Sequence, residues 1–478
     1  MEYRSNSKMK KIIPISFTLL FATGGLKAQL LQYDSVSYFI NGINIPWHNY
    51  NNDFGTNYLY GANYNPVYFD SVFTECQNYG VNCVRVWLHT DGGTTPEFDS
   101  LGFVTGLDTN FFSNLDDFFQ RAQNHNIMVI PAIWSFEMMN NDSAWGKYGG
   151  MHSDLIQDTL KTKSYINNVL IPMVTRYANQ CNLLAWEIIN EPEWATTVSG
   201  NNPNLSQHVP MTQMQRFVGM LAEAVHTYSP KMVTVGSASL KWNSDKLSFP
   251  TICIGNFWKD AAIKGAYNKP LAYLDFYEIH YYDWMKTIYQ NYDPYDYTLP
   301  YWGLDKPTLI GETPGISSKH SASDMLYNAF IGNYAGALFW SFYDGGSGNG
   351  NFNDVKNQLL AFRNAAPALV DFQGCSLTAS NSLSTIISNI IIFPNPFSAS
   401  TTVQVRNAGV TNYELKIFDV IGKEIHPVII RTPIAIGADS FVISREGLPS
   451  GLYFLKVTGN KGQGAGEIIA TEKLIITN

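Results

Sequence analysis

Short apolar runs alternate with longer amphipathic stretches along most of the chain. Eight runs are rich in apolar and β-branched residues and are bounded by polar loops: Tyr38–Asn44, Asn82–Trp87, Ile127–Trp134, Leu184–Asn190, Met232–Gly236, Phe276–His280, Thr308–Gly311 and Ala337–Trp340. Such runs are typical of buried strands, and the stretches between them, such as 110–124 and 211–228, have helical spacing. The alternation predicts parallel βα units, and eight of them fit a (β/α)8 TIM barrel over residues 29–370. A doubly wound open sheet is the alternative, but no glycine-rich phosphate turn follows the first run.

The pattern changes after Asp371. Residues 371–390 are rich in Ser, Thr and Asn, which predicts a linker. Beyond it, apolar and polar residues alternate with a period of two in four runs: Thr401–Val405, Tyr413–Phe418, Ser440–Ser444 and Leu452–Val457. This period indicates half-buried strands, so residues 391–478 are predicted to form a small C-terminal antiparallel β-sandwich.

The N-terminus has the pattern of an export signal. Lys8, Lys10 and Lys11 precede the apolar stretch Ile12–Thr23, and Ala28 offers a small residue before a cut. We therefore predict a signal peptide over residues 1–28. The apolar stretch is short for a membrane span, which favours export over an anchored form.

Charge and cysteine usage exclude two classes of site. The 478 residues carry a net charge of −8, with no basic run beyond the N-terminal lysines, so nucleic acid is not expected as a partner. The five cysteines are scattered without a Cys-x-x-Cys pair, so no metal site is expected. An exported chain permits disulfides. Cys76 and Cys83 are the nearest pair, but whether they bridge stays open, and an odd count leaves one thiol unpaired within the chain.

Two glutamates follow predicted strands. Glu191 comes directly after the fourth run, and Glu312 ends the seventh. In a parallel barrel the carboxyl ends of the strands are where reactive groups meet. Two carboxyl groups roughly 5–5.5 Å apart, one protonated and one ionised, can cleave a glycosidic bond with retention. We therefore predict Glu191 as the acid/base, with a raised pKa, and Glu312 as the nucleophile.

Five further residues are candidates to support this pair. Arg85 lies inside the second strand, where a cation needs a carboxylate partner, either Glu312 or an acid of a structural ion pair. Asn190 could bond a sugar hydroxyl. His280 and Tyr282 share one face of strand six, so one could orient Glu191 and the other donate to Glu312. Trp340 ends strand eight and could form a floor for a sugar ring or belong to the core.

Three other acids are assigned no catalytic role. Glu187 lies inside the fourth strand, which predicts a buried structural carboxylate. Glu137 and Glu193 fall on predicted loops, and we expect both to be solvated.

Four motifs together resemble glycoside hydrolase family 5. They are Val84-Arg85-Val86-Trp87, Asn190-Glu191-Pro192, Ile279-His280-Tyr281-Tyr282 and Leu309-Ile310-Gly311-Glu312. This is the cellulase and mannanase family of retaining (β/α)8 hydrolases, and the resemblance covers residues 32–367. It implies Glu191 as acid/base and Glu312 as nucleophile, with Arg85, Asn190, His280, Tyr282 and Trp340 at the supporting positions. No cofactor is implied, because side chains supply both catalytic groups.

Within that family the chain is most similar to the β-1,4-mannanases. Asp91-Gly92-Gly93 after strand two is similar to that branch, and Ile133-Trp134 ends strand three where many cellulases carry a histidine. The chain departs from the family at Thr313, where an aromatic residue often follows the nucleophile, and at Glu193-Trp194. An endo-β-1,4-glucanase with the same residues is the nearest alternative, and a non-catalytic sugar-binding surface protein is another. We expect a monomer acting on a plant polysaccharide.

The C-terminal part resembles the sorting domain of the type IX secretion system. The resemblance lies in Phe393-Pro394-Asn395-Pro396, Leu415–Lys423, Leu448–Tyr453 and Glu472–Ile475. It implies the type IX machinery as a partner, and a protein that is secreted or attached to the outer membrane at the cell surface. A carbohydrate-binding sandwich is the alternative.

Overall fold

The chain separates into two compact units, residues 1–377 and 378–478. The computed structural model describes residues 29–33, 36–140, 152–246, 255–289, 292–343, 346–373, 375, 390–393, 395, 397–406, 412–419, 423–426, 429–433, 438–460 and 467–476. The predicted signal peptide at 1–28, most of the predicted linker and Cys253 lie outside these residues.

Eight parallel strands close into a barrel in the first unit. They are β1 Ile40–Asn44, β2 Cys83–Thr90, β3 Met128–Ser135, β4 Ala185–Asn190, β5 Met232–Ser237, β6 Tyr277–His280, β7 Thr308–Pro314 and β8 Gly336–Trp340. Each strand pairs with the strands before and after it in the sequence, and β8 pairs with β1 through Gly336 and Ile40. The predicted (β/α)8 barrel is therefore confirmed, and all eight apolar runs belong to it.

Helices cover the outside of this barrel. The longer ones are Pro66–Asn78, Phe111–Asn124, Met211–Tyr228, Ala322–Ile331 and Phe352–Ala365; shorter segments are Ser153–Gln157, Thr159–Tyr165, Ile166–Leu170, Ile171–Arg176, Asp260–Ala266, Asp283–Ile288, Leu299–Trp302 and Pro367–Val370. Phe111–Asn124 buries Phe111, Leu115, Phe118, Phe119 and Ala122, the three-and-four spacing of one helix face. Within the described residues, no helix is long and apolar enough to span a bilayer.

The barrel interior is apolar at one end and polar at the other. One buried cluster joins residues near the amino ends of the strands, among them Ile40, Cys83, Met128 and Leu309, and Phe372 packs against it. Toward the carboxyl ends, buried polar residues replace them, including Arg85, Glu187 and Glu278. The apolar end provides the stability of a packed core, while the polar end can hold a reactive site.

The second unit is built from two four-stranded antiparallel sheets. One sheet contains β9 Ile390–Phe393, β10 Ser400–Arg406, β13 Ile429–Pro433 and β14 Ala438–Ser444; the other contains β11 Asn412–Phe418, β12 Glu424–Ile425, β15 Gly451–Asn460 and β16 Glu467–Ile476. Val403 and Ile443 of the first sheet share a buried cluster with Ile417 and Leu455 of the second. The two sheets thus pack face to face, as the period of two predicted.

One disulfide closes a long loop in the first unit. Cys181, before β4, bonds Cys375, with Cα atoms 5.5 Å apart and a sequence separation of 194. Cys76 and Cys83, the pair nearest in sequence, are both buried free thiols. The bridge joins residues after the last barrel helix to the loop that leads into β4.

We expect loss of this bridge to lower stability by about 2–4 kcal/mol, because closing so long a loop restricts the unfolded chain. Cys181→Ala should lower the midpoint of urea unfolding, and Cys181→Ala/Cys375→Ala should lower it equally. Reductant should destabilise the wild type to the same level and leave the variants unchanged. An effect of reductant on the double variant would contradict this assignment.

Candidate active site

The carboxyl ends of the barrel strands bring the predicted residues together. Glu191 follows β4 directly, and Glu312 lies in β7. His280, the last residue of β6, stands in register beside Glu312. Tyr282 lies just beyond β6, at the start of helix Asp283–Ile288, rather than within the strand.

Arg85 of β2 is the centre of a fully buried network. Its Nε and Nη2 atoms bond the two carboxylate oxygens of Glu187 at 2.5 and 2.7 Å. Its Nη1 donates to Glu312 Oε1 at 2.7 Å and to Asn44 Oδ1 at 3.0 Å, while Nη2 also donates to Asn190 Oδ1 at 2.7 Å. Burial opposes the charge of Arg85, but the adjacent Glu187 raises its pKa further above its high usual value. Arg85 therefore makes both predicted contacts, a structural pair with Glu187 and a bond to Glu312.

Glu278 of β6 adds a third carboxyl group to this buried layer. Its Oε1 lies 3.1 Å from Arg85 Nε, yet neither carboxyl oxygen has a hydrogen-bond partner among the described residues. Burial, followed by the negative charge of Glu187, raises the pKa of Glu278 well above its usual range. A protonated Glu278 leaves two carboxylates for one guanidinium.

Glu312 has donors on both of its oxygens. Arg85 donates to Oε1, and the Tyr282 hydroxyl donates to Oε2 at 2.7 Å. Burial raises the pKa of Glu312, and His280, the charge of Arg85 and the bond from Tyr282 oppose that rise. Because both donors stabilise the ionised form, Glu312 is suited to act as a carboxylate nucleophile.

Glu191 lies in a different environment. Its Oε1 is 2.9 Å from His280 Nδ1, and its Oε2 accepts the Trp194 indole N–H at 3.0 Å. Burial raises the pKa of Glu191 to about 7, and the indole bond opposes that rise. Burial also lowers the pKa of His280 to about 4, so this ring is neutral near pH 7. Glu191 can therefore hold a proton at neutral pH, as a general acid requires.

Asn190 is held by bonds on both sides of its amide. Its Oδ1 accepts from Arg85, and its Nδ2 donates to Ser135 Oγ at 3.1 Å. Ser135 in turn donates to Glu137, and burial raises the pKa of Glu137 to about 7. Glu137, expected to be a solvated loop acid, is partly buried: it lies in the short helical turn Phe136–Met139, directly after β3, where Ser135 bonds it.

The expectation for Glu193 is wrong. Its carboxyl group is fully buried and accepts from Ser237 Oγ at 2.5 Å, Trp258 Nε1 at 2.6 Å and Ala238 N at 3.0 Å. Loop position alone predicted exposure, but a tight turn over Pro192–Ala195 directs this side chain into the protein. Glu187 is the buried, bonded carboxylate that its place inside a strand predicted.

Trp340 lies beside this network and next to a cavity. Its ring is 5.5 Å from Trp87, which in turn lies under the Arg85 guanidinium at 4.1 Å. A cavity of about 620 Å³ opens between Trp340, Trp47, Tyr68 and other residues of these loops. Trp340 is partly rather than fully buried, which leaves part of its ring available to a ligand.

The two predicted carboxyl groups lie close to each other and to His280. One oxygen of Glu191, one of Glu312 and a ring nitrogen of His280 lie within 4.8 Å of one another. A metal ion would contact all three at this spacing, but the guanidinium of Arg85 already bonds Glu312 and opposes a second cation there. In a second group, Asp293, Asp296 and His320, the Lys286 ammonium lies 3.0 and 2.5 Å from the two aspartates and likewise opposes a further cation.

All seven predicted residues thus fall in one region. Hydrogen bonds join Arg85, Asn190, Glu312 and Tyr282 in one network. Glu191 and His280 form a bonded pair beside it, with His280 Nδ1 3.6 Å from Glu312 Oε1, and Trp340 lies at the edge. Sequence reasoning missed Asn44, Ser135 and Trp194, which bond Arg85, Asn190 and Glu191. Asn44 and Ser135 are the last residues of β1 and β3, so the strand-end rule that found Glu191 could have found them. No comparable signal marked the bond of Trp194.

Comparisons with known proteins agree with this geometry. Residues 41–346 match the family described as Cellulase (glycosyl hydrolase family 5), and residues 391–476 match the secretion system C-terminal sorting domain. The chain is 33% identical to the mannan endo-1,4-beta-mannosidase of Mytilus edulis over 350 residues, which cover 68% of this chain and 91% of that protein. It is 31% identical to the mannan endo-1,4-beta-mannosidase of Cryptopygus antarcticus over 353 residues, 69% and 87% of the two chains. The crystal structure of the endo-1,4-beta-mannanase from Eisenia fetida aligns with a TM-score of 0.61 at 28% identity, covering 70% of this chain and 94% of that one.

The buried network predicts a large stability cost when Arg85 is removed. Arg85→Met should lower the free energy of unfolding by about 3–5 kcal/mol, because it leaves Glu187 buried without its cation. The matched control is Arg121→Met, since Arg121 pairs with Asp70 and Asp117 at the surface, where about 1 kcal/mol or less is expected. Urea unfolding measures both. Equal losses in the two variants would contradict a central role for the Arg85 network.

Proposed function

Because this chain belongs to glycosyl hydrolase family 5, we propose that it is a retaining endo-β-1,4-mannanase in which Glu191 is the acid/base and Glu312 the nucleophile. The observation that carries the proposal is the pair of close carboxyl groups with different donors: an Arg85–Tyr282 pair on Glu312, and neutral His280 with Trp194 on Glu191. Oxygens within 4.8 Å of each other match the shorter carboxyl separation of retaining enzymes, roughly 5–5.5 Å, rather than the roughly 6.5–9.5 Å of inverting ones.

The reaction follows from these positions in two steps. In the first, Glu312 attacks the anomeric carbon while Glu191 gives its proton to the departing glycosidic oxygen, and a covalent glycosyl-enzyme forms. In the second, ionised Glu191 takes a proton from water, whose oxygen attacks the same carbon and releases Glu312. The two glutamates end as they began, so no cofactor enters the balance.

The supporting residues divide between these two groups. Arg85 and Tyr282 hold Glu312 ionised and aimed, and His280 orients Glu191. Asn190 keeps a fixed amide: one N–H bonds Ser135, and the second can meet a sugar hydroxyl. Trp340 offers its partly exposed ring as a floor for the sugar.

Mannan is the proposed substrate because the two curated relatives that align over most of their length bear that activity in their names. The nearest alternative, an endo-β-1,4-glucanase, is kept because the matching family carries the name Cellulase. We propose that the protein works as a monomer, because each of the seven site residues comes from one chain. The tail directs the protein through type IX secretion to the cell surface or the extracellular space, and we propose that residues 1–28 are its signal peptide.

The first test is hydrolysis of purified polysaccharides by the full chain. We expect cleavage of mannan and glucomannan, with a fall in viscosity ahead of reducing-sugar release, as endo cutting gives. Proton NMR of the first product should show the β-anomer, since retention preserves the configuration.

Two variants separate catalysis from binding in this assay. Glu312→Gln should lose hydrolysis by roughly 10³-fold or more while still binding mannohexaose, because the amide keeps the shape and loses the nucleophile. Glu191→Ala should keep kcat/KM on an aryl glycoside whose leaving group needs no proton, while kcat falls because the second step has lost its base. Cleavage of cellulose alone would overturn the substrate assignment, and binding without any cleavage by the wild type would favour a sugar-binding protein.

The pH dependence of kcat/KM should be bell-shaped. Activity should fall as pH rises through about 7, where Glu191 loses the proton that it must donate. It should also fall in acid as Glu312 takes up a proton, at a pH above that of an ordinary glutamate because burial raises its pKa. Initial rates on mannotetraose measure both limbs. A profile that stays flat from pH 6 to 9 would exclude Glu191 as the acid.

A further inference from the structure

The chain makes an unusual turn directly after Glu191. Glu191 has a left-handed backbone, with φ 47° and ψ 48°, and the tight turn Pro192–Ala195 follows it. This turn brings Trp194 back over Glu191, so that the Trp194 backbone N–H bonds the Glu191 carbonyl at 3.2 Å. The Trp194 indole N–H reaches the Glu191 side chain at Oε2, 3.0 Å away. Both parts of Trp194 are therefore bonded to the same residue.

Glu193 fixes this turn to the neighbouring strand. Its buried carboxyl group accepts from Ser237 at the end of β5, from the backbone of Ala238 and from the Trp258 indole. Because Glu193 and Trp194 are adjacent in this short turn, anchoring Glu193 inside the protein also fixes the backbone from which the Trp194 side chain projects. Glu193 thus has a structural reason to be buried.

Aromatic contacts hold the Trp194 ring from the other side. The Trp242 ring packs edge-on against it at 5.1 Å and 85°, and the exposed Trp284 ring lies 6.1 Å away. The ring therefore has one neighbour that fixes its plane and one that is open to solvent. An indole held in this way keeps its N–H aimed at Glu191 with little freedom left to lose.

We propose that Trp194 is a positioning residue of the acid/base, and that its indole N–H stabilises the ionised form of Glu191 that the second step of hydrolysis requires. The proposal rests on the proposed function. An indole N–H can only donate, so its bond to Oε2 strengthens when Glu191 gives up its proton. Burial alone would favour the protonated acid, and the N–H opposes that preference. The same group can then act as an acid in the first step and as a base in the second.

Other charged and titratable groups face Glu191 from every neighbouring element. They are Arg85 of β2, Glu137 after β3, Glu187 of β4, His280 and Tyr282 at the end of β6, Tyr289 after helix Asp283–Ile288 and Glu312 of β7. Burial lowers the pKa of Lys241 to about 8, but its ammonium lies over Trp242 and Tyr289. A variant that keeps an aromatic ring at position 194 leaves all of these groups in place. If it removes only the indole N–H, any change in the pH profile reports the loss of the bond from Trp194 to Glu191.

Trp194→Phe is the test, because it keeps an aromatic ring against Trp242 and removes the N–H. We expect the basic limb of kcat/KM on mannotetraose to move to higher pH by roughly one unit, since the carboxylate loses a donor. We also expect kcat on 2,4-dinitrophenyl β-mannobioside, which is limited by the second step, to fall roughly tenfold at pH 6 as the base becomes protonated. A general loss of structure would lower both rates at every pH and move neither limb.

Trp284→Phe is the matched control. It also removes an indole N–H from the same aromatic group, but Trp284 lies 41% exposed, and among the described residues the indole that bonds Glu191 is that of Trp194. The basic limb of its kcat/KM profile on mannotetraose should coincide with that of the wild type. Glu193→Gln is a second variant: it keeps the acceptor oxygen and loosens the anchor, so its limb should move in the same direction by a smaller amount.

The outcomes separate this inference from the proposed function. Wild-type cleavage with an unmoved limb in Trp194→Phe would overturn the role of Trp194 and leave the mannanase proposal standing. Cleavage of another β-glycan with a moved limb would overturn the substrate and support Trp194. A chain that hydrolyses no β-glycan would overturn both.

Discussion

The buried guanidinium of Arg85 ties the barrel to its chemistry. Its five N–H donors reach β4 through Glu187 and Asn190, β7 through Glu312 and β1 through Asn44. A buried cation is costly unless its partners are complete, so each partner must stand where Arg85 needs it. The same requirement that stabilises this layer also fixes the position and charge of Glu312. Stability and the proposed function therefore depend on one side chain.

This network also limits the residues around it. A Cβ atom at Gly236 would lie 2.4 Å from Glu187 Oε1, and one at Gly311 would lie 2.2 Å from Glu278 Oε1. Both distances are far inside van der Waals contact, so β5 and β7 need glycine beside the buried carboxyl groups. The two residues of the Gly311–Glu312 pair thus have separate functions. Gly311 leaves room for the buried carboxyl group of Glu278, and Glu312 carries the carboxylate of the site.

The strand pattern predicted the barrel and the main site residues because both follow from short-range rules. Apolar runs identify parallel strands, and Glu191 and Glu312 were predicted from their places at strand ends. The expectation that Glu193 is solvated was wrong because a turn of four residues has no period from which to infer a buried face. The Cys181–Cys375 bridge could not be paired from sequence, because residues 194 apart meet only when the barrel closes. The bond of Trp194 depends on the left-handed backbone of Glu191, which sequence does not specify for a glutamate.

Burial alone would not distinguish the two catalytic candidates, because it raises the pKa of both Glu191 and Glu312. Their neighbours create the difference. Arg85 places a full positive charge 2.7 Å from Glu312, whereas His280 beside Glu191 is neutral near pH 7 and Trp194 contributes an uncharged donor. A charged donor favours the carboxylate more strongly than a neutral one. An acid and a nucleophile can therefore share one buried site, because the Arg85 guanidinium bonds Glu312 and the Trp194 indole bonds Glu191.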